Sequence, residues 1–286
     1  MSFFLLNMRK LKNKKILSFW AILTLLLSSS LAQFSPEALK KMRGAEEFLK
    51  EARVINYEQM SGESAVTKPY KLTLEKEARR HFALWKNAQW IMKGYRENWQ
   101  WEVAAYRMDQ LLDLNMVPPT VERSFQNDDG SCQYWVDYWI NLAEKEEKNI
   151  SVPRNKLYLW NRSVYLQRAF DNLIANIDRH MRNILITEDW RIILIDHSRS
   201  FKTGHTEELI FTEDHPKGDR SVKALPRDFF DKLKRLDFET LDKTMEYYLT
   251  DEEIHAVLER RDLIVEHINQ LIKKKGEARV LYKRYR

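Results

Sequence analysis

One cysteine, Cys132, stands in a chain of 286 residues. A single thiol excludes an intramolecular disulfide and a thiolate zinc cluster. Glycine and proline are scarce, at seven each, which disfavours an architecture of many short strands and tight turns. Ile16 to Leu27 is an apolar run of 12 residues, short of the roughly 20 that span a bilayer. Acidic residues are missing from the first 32 positions, which carry Arg9, Lys10, Lys12, Lys14 and Lys15. With the small residues Ser30 and Ala32 after the apolar run, this segment reads as a secretory signal peptide cut after Ala32. An uncleaved membrane anchor is the alternative.

What is present is a globular composition, 44% hydrophobic and 31% charged. The formal net charge of +6 would raise nucleic acid as a partner, but its distribution argues against one. Five positive charges lie in residues 1–32, and the last 14 residues hold seven basic side chains against one acid. The body between them is therefore net acidic, so nucleic acid is not expected. Membrane contact is expected only through an uncleaved N-terminus or the basic tail, which reads as frayed and solvated.

Ser35-Pro36 opens a helix that is expected to run to about Glu51. Pro69–Leu74 and Arg80–Lys86 predict an antiparallel hairpin. Trp101, Ala104, Ala105, Met108, Leu111 and Leu112 share one face of a helix over Asn98–Leu114. Val117–Phe125 and Cys132–Trp139 read as strands around the turn at 127–130. The charged stretch at 140–150 reads as a connector. Beyond it, Leu166, Ala169, Phe170, Leu173, Ile174 and Ile177 line a long helix, and a small hairpin occupies 184–187 and 191–195. Thr250 and Glu253 form a capping box for a helix that reaches about Lys275. The expected organisation is a signal peptide (1–32), a helical extension (33–54), a strand-rich lobe (55–145), a helical lobe (146–275) and a basic tail (276–286).

The chemistry concentrates in residues 171–201. Asp178, Arg179, His180 and Asn183 crowd a loop between an apolar helix and an apolar strand. The hairpin that starts beside Asn183 ends at Asp196, so the chain returns and can bring an amide oxygen near a carboxylate. Such hard oxygen ligands suit Mg²⁺. The Asp178-to-Asn183 offset is that of a kinase catalytic loop, where the Asp takes the hydroxyl proton and the Asn holds metal. Arg179 and His180 would then supply positive or donor groups near a γ-phosphate. Upstream, Lys86 ends a strand and Glu102 lies on the following helix, a pairing that would hold nucleotide phosphates. The loop holding M-S-G-E-S at 60–64 is a candidate cover for those phosphates, with one glycine, Gly62. Trp85, Trp90, Trp99 and Trp101 suggest either packing or sugar stacking, with packing preferred.

D-R-H-x-x-N at 178–183, followed by I-D at 195–196, resembles the motifs of phosphoinositide and HipA-type kinases. E-V-A-A-Y-R-M-D-Q-L-L-D-L-N-M-V-P-P-T-V at 102–121, with N-I-D-R-H, is similar to the secretory-pathway atypical kinases, the Golgi casein kinase and four-jointed group. The resemblance spans about 60–270. It departs where Asp196 precedes H-S-R-S-F rather than a glycine, and where secretory kinases carry an acidic residue near the place of Asn183. It implies an α+β, two-lobed kinase-like fold, with a small antiparallel-sheet lobe holding one key helix and a mostly helical second lobe. It carries over Lys86 and Glu102 for ATP, Asp178 as catalytic Asp, and Asn183 and Asp196 for Mg or Mn. The expected function is an exported, periplasmic or secreted ATP-dependent phosphotransferase. Its acceptor would be a hydroxyl on a protein, sugar or lipid. The alternatives are a catalytically inactive kinase-like binding module and a metal-dependent hydrolase.

Overall fold

The computed structural model describes residues 34–61, 67–92, 95–204 and 221–283. The signal-peptide segment and Gly62–Ser64 of the candidate phosphate cover lie outside the described residues.

The N-terminal extension is two helices rather than one. Helix α1 (Pro36–Lys41) starts at Ser35, whose hydroxyl accepts the N–H of Ala38. Gly44 adopts φ +67°, a left-handed conformation that costs glycine little and breaks the run. Helix α2 (Ala45–Glu51) follows. Phe48 and Leu49 of α2 pack with Leu72, Leu74 and Trp85 in one buried cluster. The extension is thus a lid over the apolar face of a sheet.

That sheet has five antiparallel strands in the order β1-β2-β3-β7-β6. They are β1 (Arg53–Gln59), β2 (Tyr70–Lys76), β3 (Arg79–Lys86), β6 (Thr120–Phe125) and β7 (Asp128–Tyr134). A short ribbon, β4 (Ile91–Met92) and β5 (Tyr95–Arg96), interrupts the chain after β3. The β2–β3 hairpin matches the sequence reading. β1 is absent from that reading, because most of its residues are exposed and show no alternation. The β6–β7 turn falls at Gln126 and Asn127, both at positive φ. Asp128 to Gly130 are therefore strand, and β7 ends at Tyr134 rather than at Trp139.

Helix α3 (Gln100–Leu112) buries Trp101, Ala104, Ala105, Met108 and Leu112 as its periodicity predicts. Its C-terminal loop is held by Asp109, which accepts the N–H groups of Asn115, Met116 and Val117 at 2.8–3.1 Å. The Met116 carbonyl in turn accepts Leu194 N–H at 2.8 Å, tying the first lobe to the second.

Residues 135–139 carry the chain between lobes. The segment at 140–150 is not a connector. It forms β8 (Ile140–Asn141) and helix α4 (Leu142–Glu147), because Asn141 and Glu144 make a capping box that satisfies free N–H groups at the helix start. Helix α5 (Leu157–Leu173) ends before Ile177, which is exposed and off the expected stripe. Strands β9 (Ile184–Ile186) and β10 (Ile192–Leu194) form the predicted hairpin, and β8 joins it as a third strand. Helices α6 (Arg227–Lys234), α7 (Phe238–Met245) and α8 (Asp251–Lys275) complete the second lobe. Helix α9 (Glu277–Val280) and β12 (Leu281–Tyr282) follow, and β12 pairs in parallel with β11 (Leu225–Pro226). Val280 and Leu281 are buried, so the start of the basic tail is docked, not frayed. One core runs from α3 through α5 to α8.

Gly130 sits where β7 crosses Lys86. A Cβ there would lie 2.3 Å from the Lys86 carbonyl oxygen and 2.8 Å from Trp85 Cε2. Backbone cannot yield as a flexible side chain does, so Gly130→Ala is expected to cost about 1–3 kcal/mol. Denaturant midpoints of wild type and variant measure it; equal midpoints would refute the close approach.

Candidate active site

Lys86 closes β3 and is 7% exposed. Its Nζ lies 2.9 Å from Glu102 Oε1 and 2.6 Å from Asp196 Oδ1. Residues 16 and 110 positions away thus meet on one ammonium. Burial alone would push the lysine's pKa down, but the Asp196 and Glu102 carboxylates outweigh it and hold the value above the ordinary range. Burial pushes the Glu102 carboxyl up, but the Lys86 charge and the His197 contact prevail and hold it below the ordinary carboxylate range. The second Glu102 oxygen accepts the backbone N–H of His197 at 2.9 Å. The His197 ring is fully buried, and burial lowers its pKa. Among the described residues its ring nitrogens have no hydrogen-bond partner.

Asp196 follows β10 with φ +62°. The left-handed turn aims its Oδ2 at the Asn183 side chain, with Nδ2 at 3.4 Å. Assignment of the amide O and N rests on hydrogen bonding, and the opposite orientation would set two oxygens side by side, as a cation requires. Among the described residues no three His, Cys, Asp or Glu side chains form a metal cage. Two oxygen ligands nevertheless fit Mg²⁺, which commonly takes one or two protein ligands and completes its shell with water and phosphate.

Arg179 departs from its expected place beside a γ-phosphate. Its guanidinium is turned inward, with the side chain 8% exposed. It grips the Asp171 carboxylate at 3.0–3.2 Å and donates to the carbonyls of Asn183 (3.1 Å) and Ile195 (2.6 Å). The planar fork suits such multiple contacts. Arg179 therefore positions the two candidate metal ligands from behind.

The cation that does reach Asp178 comes from elsewhere. Arg199 Nη1 lies 3.0 Å from Asp178 Oδ2, and His180 Nε2 lies 2.6 Å from Oδ1. Arg199 Nε also donates to Glu97 Oε1 at 2.5 Å, and Ser198 Oγ donates to Glu97 Oε2 at 2.6 Å. Ser198 Oγ lies 3.3 Å from Asp196 Oδ1. Glu97, Ser198 and Arg199 were not among the sequence-derived candidates. The polar H-S-R-S run after Asp196 is the signal for Ser198 and Arg199, and nothing in the sequence singles out Glu97. The tryptophans divide: Trp85, Trp99 and Trp101 are buried, whereas Trp90 is exposed. Trp85 donates to the Arg123 carbonyl and Trp101 to Glu253 Oε1, so packing accounts for both.

No protein-family model matches the chain, and no curated protein matches it. Solved structures do. A Fam20 protein from hydra, determined with a sugar, superposes with a TM-score of 0.63 at 14% identity, covering 89% of this chain and 95% of that one. The Golgi casein kinase with Mn/ADP bound gives 0.61 at 14% identity, covering 88% and 80%. A second structure of a Golgi casein kinase gives 0.62 at 14% identity over 88% and 79%. The chain has the two-lobed kinase-like fold. In that fold it resembles the secretory-pathway kinases, as the motif at 102–121 with N-I-D-R-H at 176–180 implied.

The Glu102 shift has a pH consequence. A carboxyl held below its ordinary value of 4.5 contributes stability that is full above that value and lost as pH falls through the folded value. Wild type should therefore weaken on acidification below about pH 4.5, and Glu102→Gln should show a shallower acid limb. The variant should also be less stable at pH 7 by about 3 kcal/mol, since one partner of a buried pair is removed. Urea melts across pH measure both, and an unchanged acid limb would contradict the assignment.

Proposed function

We propose that the chain is an exported atypical kinase that transfers the γ-phosphoryl group of ATP to a hydroxyl of a protein, sugar or lipid. The observation that carries this reading is the buried ammonium of Lys86, shared between Glu102 of α3 and Asp196 after β10. A lysine kept charged and fixed in a lined cleft is suited to phosphate oxygens. The Golgi casein kinase crystallised with Mn/ADP supports a nucleotide and a metal here, and the Fam20 protein with a sugar keeps a sugar acceptor in view.

On this reading Asp178 is the catalytic base. It accepts the acceptor hydroxyl's proton as that oxygen bonds to the γ-phosphorus, and the β–γ bridging oxygen leaves on ADP. His180 and Arg199 hold the two Asp178 oxygens and fix the carboxylate's direction. Asn183 and Asp196 would hold Mg or Mn, which when bound neutralises phosphate charge. Arg179 keeps the backbone beneath both of them in register. The first 32 residues act as a signal peptide, the two helices up to Glu51 as a covering extension, and the segments from Arg53 to Tyr134 and from Ile140 onward as the two lobes. ATP contacts Lys86, and no nucleic acid takes part.

A second reading has a specific observation behind it. Arg199 occupies one Asp178 oxygen and His180 the other, so both oxygens already have partners where an acceptor hydroxyl would have to bind, which favours a kinase-like module that binds nucleotide without transfer.

The two readings separate on one variant. Asp178→Asn should lower metal-dependent phosphoryl transfer from radiolabelled ATP by about 10²–10⁴-fold, the range of general-base catalysis, while leaving ATP binding within about threefold. Wild type that binds ATP and transfers nothing across a broad acceptor screen supports the binding module. Transfer that survives Asp178→Asn refutes the proposed base.

A further inference from the structure

Away from the candidate active site the molecule holds a cavity of about 580 Å³, which none of Lys86, Glu102, Asp178, Asn183 or Asp196 lines. The N-terminal extension, the connector and the β9–β10 hairpin line it, with His81 of β3. Phe34 and Met42 flank α1, Trp135 and Trp139 belong to the connector, and Ile193 lies on β10. The connector is hydrogen-bonded to both lobes here: Trp135 N–H donates to the Phe82 carbonyl at 3.1 Å and Trp139 N–H to the Ile186 carbonyl at 2.9 Å. A molecule in this cavity would touch both lobes and the strand that joins them.

Its charge is one-sided. Glu37, Asp137, Glu188 and Asp189 line it, against Lys41 and His81. Asp189 is engaged by Arg191 and Thr187. Among the described residues Glu37, Asp137 and Glu188 have no ion-pair partner. Burial lowers the His81 pKa, although its Nε2 meets the Trp135 carbonyl at 2.7 Å, a contact that acts in the opposite direction. Beside these carboxylates, Tyr138 and Trp139 are 45% and 41% exposed. Open aromatic faces next to unpaired carboxylates form the environment that attracts an organic cation. An anion would meet four carboxylates. A neutral apolar ligand would leave those carboxylates partly desolvated and uncompensated. The volume falls within the roughly 300–1,000 Å³ typical of small-molecule sites.

We propose that this cavity binds a small organic cation, an ammonium or guanidinium group on an apolar body. The apolar body packs on Phe34, Met42 and Ile193, and the cation sits among the connector aromatics with Asp137 and Glu188. This inference concerns binding alone and does not depend on phosphoryl transfer.

Benzamidine and benzamide form a matched test, since they share shape and differ in charge. Titrated calorimetrically into the full chain at low ionic strength, benzamidine should bind saturably, and benzamide about tenfold more weakly or worse. The double variant Asp137→Asn/Glu188→Gln changes only exposed groups. It should weaken benzamidine about three- to tenfold, in line with two rim charge contacts, without shifting the melting temperature of the unliganded protein. Ala38→Phe, which fills the cavity from α1, should abolish binding. Glu58→Gln, on exposed β1, should leave it unchanged. Equal affinity for the two probes, no saturation by about 10 mM, or full affinity in the double variant overturns the proposal.

Discussion

A full positive charge buried in a small sheet is the constraint on which this molecule depends. Moving an ammonium out of water costs several kcal/mol even after relaxation. Lys86 is tolerable only because Glu102 and Asp196 stand on either side of it. Those two carboxylates come from α3 and from the end of β10. Each must therefore be delivered by an element that packs correctly elsewhere. The buried stripe of α3 and the Asp109 bonds that fix its exit loop serve that delivery in the first lobe. The Arg179 bonds to Asn183 and Ile195 serve it in the second. The network is a consequence of one cation's need for counter-charge, and the fold is the means of meeting it.

Arginines buried in the second lobe do similar work on uncharged partners. Arg260 of α8 is 2% exposed and donates to the carbonyls of Leu173 and Lys202, both at 2.8 Å. It links the end of α5 to the segment that follows the Asp196 loop. Phe201, at φ +55°, donates its N–H to the Ile174 carbonyl in the same place. The segment leaving the site is thus anchored by backbone carbonyls held on a long, well-capped helix. A guanidinium makes this feasible because it offers several donors in one rigid plane.

The legible part of the site was the part encoded by spacing. Lys86 at the end of an apolar strand and Glu102 on a periodic helix lie on regular elements whose period fixes where a side chain points, and Asn183 and Asp196 flank the two strands of a hairpin whose pairing brings its ends together. The illegible part lies on turns. Arg179 is adjacent to Asp178 in sequence yet points away from it, whereas Arg199, 21 residues later, reaches it. Neighbours in a loop need not share a side, and no periodicity reports which way each one faces. The same limit explains the fold's differences from expectation. β1 lacks alternation because it is exposed, and the stretch at 140–150 is so rich in charge that its capping box, Asn141 and Glu144, is indistinguishable by composition from a polar linker. The helical lobe was clear because its stripes and the Thr250 cap are local signals.

The two oxygens of Glu102 serve different masters: one holds the Lys86 ammonium and the other the His197 amide. A helix carboxylate that grips a side chain of one lobe and the main chain of the other makes a rivet, not a latch. Helix α3 cannot swing away without also releasing the backbone beside Asp196. The cleft is thereby given few half-assembled forms, and its opening would be one cooperative event visible as exchange of a single amide proton.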